Sequence, residues 1–301
     1  MFLSVAMCFR NESHILEEWM DHYVDEGVDQ FLLCDNKSTD DYQSILDKYD
    51  NVVLYKDNSQ QIQWSCQRPH GEYGPGIYSK MISENETDWV IIVDADEFMY
   101  AREGYDTIKQ FLQERGSEFN QLLVPISLFH NRSGTELAIK KQPKSVIDTF
   151  VLSHKRDKQV KCIVKTEAIK HLNLHEHVVD GISTRPHLKD KFKLHTKASS
   201  TAKYGSVKSL GGWRFYPENE KVYVHCNHYK YQSEEYFFKI KSARGYGDRK
   251  DDVAKKDIKS EVDKMFADDK ELARQEKQKP KPIDKNKARA AADRTMAKIE
   301  Q

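Results

Sequence analysis

The chain has no long apolar run, no closely paired cysteines and no excess of one charge. Its 48 basic and 48 acidic side chains balance, so a general nucleic-acid binder is not indicated. The five cysteines stand far apart, are odd in number and show no CxxC spacing. They indicate neither a zinc knuckle nor a disulfide framework, and reduced thiols are expected.

The sequence also shows no segment typical of a secretory signal or of a membrane-spanning helix. No apolar stretch approaches the roughly 20 residues that a membrane-spanning helix requires. Met1–Cys8 is short and is followed at once by Arg10, Asn11 and Glu12, unlike a secretory signal. We therefore expect a cytoplasmic protein with no transmembrane segment and no nucleic-acid partner; peripheral membrane association and the oligomeric state stay open.

In the first 100 residues, short apolar runs alternate with stretches of helical spacing. This alternation predicts an α/β fold with a mainly parallel sheet and helices on both faces. Ligands of such sheets bind beyond the carboxyl ends of the strands. The predicted strands are Phe2–Cys8, Gln30–Cys34, Val52–Tyr55 and Trp89–Val93, and the predicted helices are Ser13–Glu26, Ser38–Tyr49 and Ile77–Glu84. Ser13 is the expected cap of the first helix, Gly27 its end, and Ser38 with Asp41 a capping box.

The pattern changes after residue 100, where strand-like runs dominate and indicate a mixed sheet. The predicted elements are a helix at Tyr105–Arg115, strands at Gln121–Phe129, Val146–Leu152, Val160–Thr166 and Val222–His225, and a Ser-capped helix at Ser233–Arg244. Residues 248–301 are rich in charge and poor in large apolar side chains. We expect them to form a helical or partly disordered tail.

The sequence WVIIVDADEF places two carboxylates, Asp94 and Asp96, directly after an apolar strand. If the chain stays extended, residues i and i+2 face the same side, so both carboxylates would meet at one point. Carboxylate oxygens suit Mn²⁺ or Mg²⁺, and a diphosphate would supply further ligands. The alternative is a solvated strand end. Polar clusters at Arg10–Glu12 and Asp35–Asp40 are predicted at the same rim, although they also fit helix caps and a turn.

These motifs together resemble the GT-A glycosyltransferases of the family 2-like and family 92-like groups. The resemblance is carried by FRNE at Phe9–Glu12, CDN at Cys34–Asn36 and VDADEF at Val93–Phe98. The segments Val160–Val178 and His225–Gly245 add a Lys-containing strand, and a His-Tyr pair before a Ser-capped helix. The resemblance covers about residues 2–247. It implies a Rossmann-like domain with a nucleotide-sugar half at 1–100 and an acceptor-side half at 101–247.

The resemblance also implies roles for individual residues. Asp94 and Asp96 would form the metal motif and both are candidate ligands, with Asp96 favoured over Asp94 as the direct one, and His228 would complete the metal or diphosphate site. Asn11, Glu12 and Asp35 would contact the nucleotide, while Arg10 and Lys80 would contact the diphosphate. One departure concerns the acceptor pocket, because His130 stands where related chains often carry glycine.

The implied reaction moves a sugar from a nucleoside diphosphate sugar to a hydroxyl of a glycan or another acceptor, with inversion. Glu176 and Asp148 are the candidate bases. The alternatives are a nucleotidyltransferase, a haloacid-dehalogenase-like phosphatase and a sugar-nucleotide-binding module without activity. The phosphatase is disfavoured because Phe98 replaces the Thr or Val usual two residues after the second Asp. The nucleotidyltransferase is disfavoured because no Gly-rich, basic first loop is present.

Overall fold

A computed structural model describes residues 1–57, 76–102, 104–130, 132–133, 136–137, 139–150, 152–172, 175–184 and 222–241. The predicted tail at 248–301 and Cys66 lie outside these residues. Two compact units are present. The first comprises Met1–Ser127 and Arg156–His228, and the second comprises Leu128–Lys155 and continues from Tyr229. This grouping differs from a division near residue 100.

Strands and helices alternate through the first unit, as predicted. The strands are β1 Leu3–Phe9, β2 Gln30–Asp35, β3 Val52–Lys56, β4 Trp89–Ile92, β5 Glu97–Ala101, β6 Gln121–His130, β7 Arg132–Ser133, β8 Glu136–Leu137, β9 Leu152–Lys165, β10 Ile169–His171, β11 Val178–Val179, β12 Ser183–Thr184 and β13 Val224–Tyr231. The α-helices are α1 Ser13–Asp25, α2 Gln43–Leu46, α3 Ile77–Ser83, α4 Ile108–Arg115 and α5 Val146–Thr149, and a π-helical stretch spans Tyr236–Lys241.

The main sheet has the order β3-β2-β1-β4-β9-β6-β13-β5, with β12 beside β6. Strands β1 to β4 pair in parallel, whereas β9 runs antiparallel to β4 and β13 antiparallel to β5. The prediction of an α/β fold with a mixed, mainly parallel sheet is confirmed. The carboxyl ends of β1, β2 and β4 therefore share one edge of the sheet.

Helices cover both faces of the parallel strands. On one face, Tyr78 and Met81 of α3 pack in a buried cluster with Leu32 and Ile92. Phe31 points to the opposite face because neighbouring strand residues alternate, and there the ring of Trp19 in α1 lies 5.9 Å from it. Burying a large apolar side chain stabilises the fold by about 1.5–3 kcal/mol.

The apolar spacing of α1 explains why this segment is a helix. Its buried residues, Ile15, Leu16, Trp19, Met20 and Tyr23, recur at helical intervals and form one stripe. Gly27 ends the helix with a φ of 84°, as predicted. The cap prediction was wrong at the other end, because Glu12 occupies the N-cap position.

Two further local predictions were wrong. Ser38 opens no helix, since its hydroxyl accepts from the Asn11 backbone N–H at 3.0 Å and α2 begins only at Gln43. The run at Val146–Leu152 begins as a helix because the Ser145 hydroxyl caps it. By contrast, the predicted Ser233 cap is present, with the Tyr236 N–H donating to its hydroxyl at 3.0 Å.

Among the described residues, no helix combines the length and the apolar character needed to cross a bilayer.

Candidate active site

Asp94 to Glu97 form a hydrogen-bonded turn directly after β4. The Glu97 N–H donates to the Asp94 carbonyl at 3.1 Å, and the Asp94 N–H donates to Glu97 Oε2 at 2.8 Å. The chain therefore does not stay extended through the two aspartates. Glu97, which the sequence analysis did not single out, closes the turn with its backbone and its side chain.

Lys161 is the second residue that sequence reasoning missed. β9 pairs with β4 so that Cys162 lies beside Ile92, which brings the preceding lysine to the start of the turn. Its Nζ lies 2.8 Å from Glu97 Oε2 and 3.1 Å from Asp94 Oδ2. Exposure of the side chain is 5% for Lys161, 2% for Glu97 and 44% for Asp94.

Burial and this ion pair affect the two carboxyl groups differently. Burial raises the pKa of Glu97, and the attraction of Lys161 does not fully offset it. For Asp94, desolvation also favours the neutral form, but Lys161 outweighs it and lowers the pKa. The negative charges of Asp94 and Asp96 also raise the pKa of Glu97, whereas Asp94 gains both the charge and a hydrogen bond of Lys161. Burial lowers the pKa of Lys161, yet Asp94 and Glu97 outweigh it, and the net shift is upward.

β13 brings His228 to the same turn. The predicted strand Val222–His225 is in fact Val224–Tyr231, and its antiparallel register with β5 sets His228 opposite Glu97. His228 Nε2 lies 3.4 Å from Asp96 Oδ1, and Nδ1 lies 3.9 Å from Glu97 Oε1. His225 is buried elsewhere, with its ring 5.8 Å from that of Tyr100.

The loops after β1 and β2 are tied to each other. Asn11 has a φ of 56°, which asparagine tolerates better than most residues. Its side-chain oxygen accepts from the Thr39 N–H at 2.7 Å. Asp35 Oδ1 accepts from the Ser38 N–H at 2.8 Å, and Oδ2 accepts from the Tyr42 hydroxyl at 3.2 Å. The carboxylate of Asp35 thus shapes its own loop.

Comparison with protein families gives one match, to the model of glycosyltransferase family 92, over residues 81–290. The chain belongs to glycosyltransferase family 92. The resemblance identified from the motifs is thereby confirmed. The matched span of this family 92 chain contains the turn at Asp94–Glu97, Lys161 and His228, and it begins after Asn11 and Asp35.

Solved structures similar to the family 92 chain include the following three. Staphylococcus aureus TarS residues 1–349, in complex with UDP, is 15% identical with a TM-score of 0.37, over 55% of this chain and 47% of that one. HddC from Yersinia pseudotuberculosis is 11% identical with a TM-score of 0.36, over 62% and 89%. Mycobacterium tuberculosis glucosyl-3-phosphoglycerate synthase, with Mn²⁺, UDP and glucosyl-3-phosphoglycerate, is 17% identical with a TM-score of 0.29, over 55% and 57%. This chain thus spans about half the length of the TarS chain. Comparison with curated proteins finds no match.

The geometry of the family 92 chain was tested for a divalent cation. Two donor atoms that bind one ion at about 2.1 Å and at a right angle lie about 3 Å apart, close to the separation of His228 Nε2 and Asp96 Oδ1. With its three carboxylates ionised and Lys161 charged, the cluster carries a net charge of about −2, which suits a divalent ion. In the described part of the chain, no three His, Cys, Asp or Glu side chains converge on one ion. The residues therefore fit a site with two protein ligands, Asp96 and His228, completed by water or phosphate.

The other predicted site residues lie in different surroundings. Glu12 is buried at the start of α1, with Oε2 3.9 Å from His14 Nε2, and Arg10 directly follows β1. Lys80 is half-exposed on α3, where it pairs with Glu84 at 3.9 Å. Its Nζ lies 5.9 Å from the centroid of the Tyr55 ring.

Of the two candidate bases, Glu176 lies in the first unit and Asp148 in the second. Burial raises the pKa of Cys162, and the negative charge of Glu176 raises it further. Cys162 points to the sheet face opposite Lys161, because successive strand residues alternate. Asp148 is exposed on α5, in the second unit, and its N–H donates to the Ser145 hydroxyl at 3.0 Å.

Proposed function

We propose that this chain transfers a sugar from a nucleoside diphosphate donor to a hydroxyl of a glycan or another acceptor. The transfer uses Mn²⁺ or Mg²⁺ and inverts the configuration of the sugar carbon. The observation that carries the proposal is the meeting of Asp96 and His228 at the carboxyl end of β4, in a chain of glycosyltransferase family 92.

Asp96 and His228 would hold the cation, which when bound would stabilise negative charge on the departing nucleoside diphosphate. Both side chains are mostly buried, with exposures of 7% and 14%. Buried ligands are desolvated before the ion arrives, which strengthens their interaction with it. Glu97 faces the second nitrogen of His228 and would orient the ring, as carboxylates do for metal-binding histidines.

The loops after β1 and β2 would hold the nucleotide. Asn11 and Asp35 fasten the two loops together, and Glu12 lies buried where they meet α1. We propose that Asp35 and Glu12 accept hydrogen bonds from ribose or base, and that Arg10 and Lys80 contact the diphosphate. A loop fixed by its own hydrogen bonds requires little ordering when the ligand binds.

Glu176 and Asp148 remain the proposed bases for the acceptor hydroxyl. Replacement of the true base by its amide, Glu176→Gln or Asp148→Asn, should lower kcat by about 100-fold or more, the usual contribution of general base catalysis. The other amide variant should keep kcat, and the pH profile of kcat would identify the base. If neither variant loses activity, both assignments are wrong.

The test of the proposed function is a screen of nucleotide sugars with the full chain, with and without Mn²⁺. We expect release of nucleoside diphosphate together with transfer of the sugar. We also expect an inverted anomeric configuration in the product. In parallel assays, formation of a nucleotide sugar and pyrophosphate from a nucleoside triphosphate and a sugar 1-phosphate would indicate a nucleotidyltransferase, and release of inorganic phosphate from a phosphate monoester would indicate a phosphatase. Donor binding without any turnover would indicate a non-catalytic module. Each of these three results would contradict the proposal.

A further inference from the structure

Lys161 places a permanent positive charge inside the acidic turn. Its ammonium group touches two of the three carboxylates, at 2.8 Å for Glu97 and 3.1 Å for Asp94. Asp96, the third carboxylate, instead faces His228. Lys161 is therefore paired with Asp94 and Glu97, whereas Asp96 lies next to His228.

We propose that Lys161 selects the cation ligands of this site by holding Asp94 away from the metal ion, so that Asp96 and His228 serve as the protein ligands. Lys161 is thus a positioning residue that acts through Asp94 and Glu97; the inference rests on the proposed function, because it presumes a cation at Asp96. The first aspartate of the motif then shapes the turn and faces the donor rather than binding the ion.

The charge and the geometry both support this selection. A metal ion bound to Asp94 Oδ2 would meet the ammonium of Lys161 at close range, where like charges repel strongly in a partly desolvated site. Lys161 cannot easily move away, because it is buried and its other partner, Glu97, is held by the Asp94 N–H. The lysine therefore stays in place when the cation binds.

A purely structural lysine would behave differently from a selecting one. Loss of a structural residue loosens the turn, and so weakens both metal binding and sugar transfer. Loss of a selecting residue frees Asp94 to bind the ion, which strengthens metal binding while the misplaced ion impairs transfer. Opposite changes in metal affinity and in kcat are therefore the signature of selection.

The experiment titrates the full chain with Mn²⁺ in the absence of donor. Electron paramagnetic resonance measures the free Mn²⁺ at each step. Lys161→Met should lower the Kd for Mn²⁺ by about tenfold and lower kcat by about tenfold or more. Asp94→Asn alone should change the Kd by less than about threefold. In the Lys161→Met background, Asp94→Asn should remove the whole gain in affinity.

Two further variants keep the result interpretable. Lys170→Met breaks a surface pair with Asp180, whose atoms are 2.7 Å apart, and should leave the Kd unchanged. If Lys161→Met does not fold, Lys161→Gln replaces it. The amide can still donate a hydrogen bond to Glu97 but carries no charge, so this variant should still bind Mn²⁺ more tightly than wild type.

The outcomes separate this inference from the function on which it rests. A weaker Mn²⁺ affinity of the Lys161 variants, or a gain that survives Asp94→Asn, overturns the selecting role while the proposed function stands. No Mn²⁺ binding to the wild-type chain overturns the metal-dependent function, and the role of Lys161 with it.

Discussion

Glu97 is held at the turn through its backbone and its side chain together. Its carbonyl accepts from Trp19 Nε1 at 3.2 Å and from the Tyr23 hydroxyl at 3.1 Å. Its side chain accepts from the Asp94 N–H and pairs with Lys161. These bonds fix Asp94 and Glu97 on either side of Ala95–Asp96, so the Asp96 carboxylate is positioned before any ligand arrives.

Asp96→Asn tests the central carboxylate. The amide has the same shape but no charge, so Mn²⁺ affinity and transfer should both fall by about 100-fold or more. Thermal unfolding should change little. Asp180→Asn, at a side chain that is 71% exposed, is the control and should keep full activity. Activity of Asp96→Asn within about tenfold of wild type would exclude the metal assignment.

His228→Ala and His225→Ala form a matched pair on β13. His228 faces Asp96, so its loss should weaken Mn²⁺ binding by about tenfold or more. His225 is buried beside Tyr100, so its loss should lower the free energy of unfolding by about 1–3 kcal/mol and leave Mn²⁺ affinity unchanged. Calorimetric titration with Mn²⁺ and denaturant unfolding measure the two effects. Equal Mn²⁺ affinity in both variants would show that His228 is only a packing residue.

At the scale of elements, the periodic pattern predicted what local sequence determines. The four parallel strands and the helices α1 and α3 lie where alternation and apolar spacing placed them, within one or two residues. The failures concern caps, turns and two strands: Val146–Leu152 begins as a helix, and the strand predicted at Val222–His225 spans Val224–Tyr231. Ser38 was misread because its hydroxyl bonds to Asn11, 27 residues earlier, and local propensity holds no information on that contact.

Glu26 joins three elements and offers a test of how the first unit is held together. Its buried carboxylate follows α1 and accepts from the Ala101 N–H at 3.1 Å and the Ile108 N–H at 2.9 Å. Glu26→Ala would leave both donors buried and unpaired, and should lower the free energy of unfolding by about 2–4 kcal/mol. Asp25→Ala, one residue earlier and exposed, should change it by less than about 0.5 kcal/mol. Similar losses of unfolding free energy for the two variants, measured in urea, would contradict the role of Glu26 as the acceptor for these two N–H groups.

At the scale of the whole chain, the sequence indicated at which edge of the sheet the candidate site lies, but not which side chains form it. The rule that ligands bind beyond parallel strands located Asp94 and Asp96 correctly. Lys161 and His228 reach them through antiparallel pairing, and strand register depends on distant partners. His228 was assigned through the resemblance alone. Lys161 received no role, because a lysine in a strand usually faces solvent.

The charged C-terminal segment is tested by truncation. Its composition predicts that a chain ending at residue 250 binds the nucleotide donor with unchanged affinity. The match to the family 92 model continues to residue 290, so the truncation removes part of the matched segment. Calorimetry measures the donor affinity of the truncated chain and of the full chain, after both are shown to fold. Weaker donor binding by the folded truncation would show that the segment contributes to the site.

The long separation between Asp94 and Lys161 has a consequence during protein synthesis. The lysine follows the aspartate by 67 residues, so at about 5–20 residues per second the ribosome adds it about 3–13 s later. Throughout that interval the nascent strands β1 to β4 carry the acidic turn without its ammonium partner. The unpaired carboxylates would then resist burial until β9 is made, which delays closure of this part of the sheet until that strand can pair with β4.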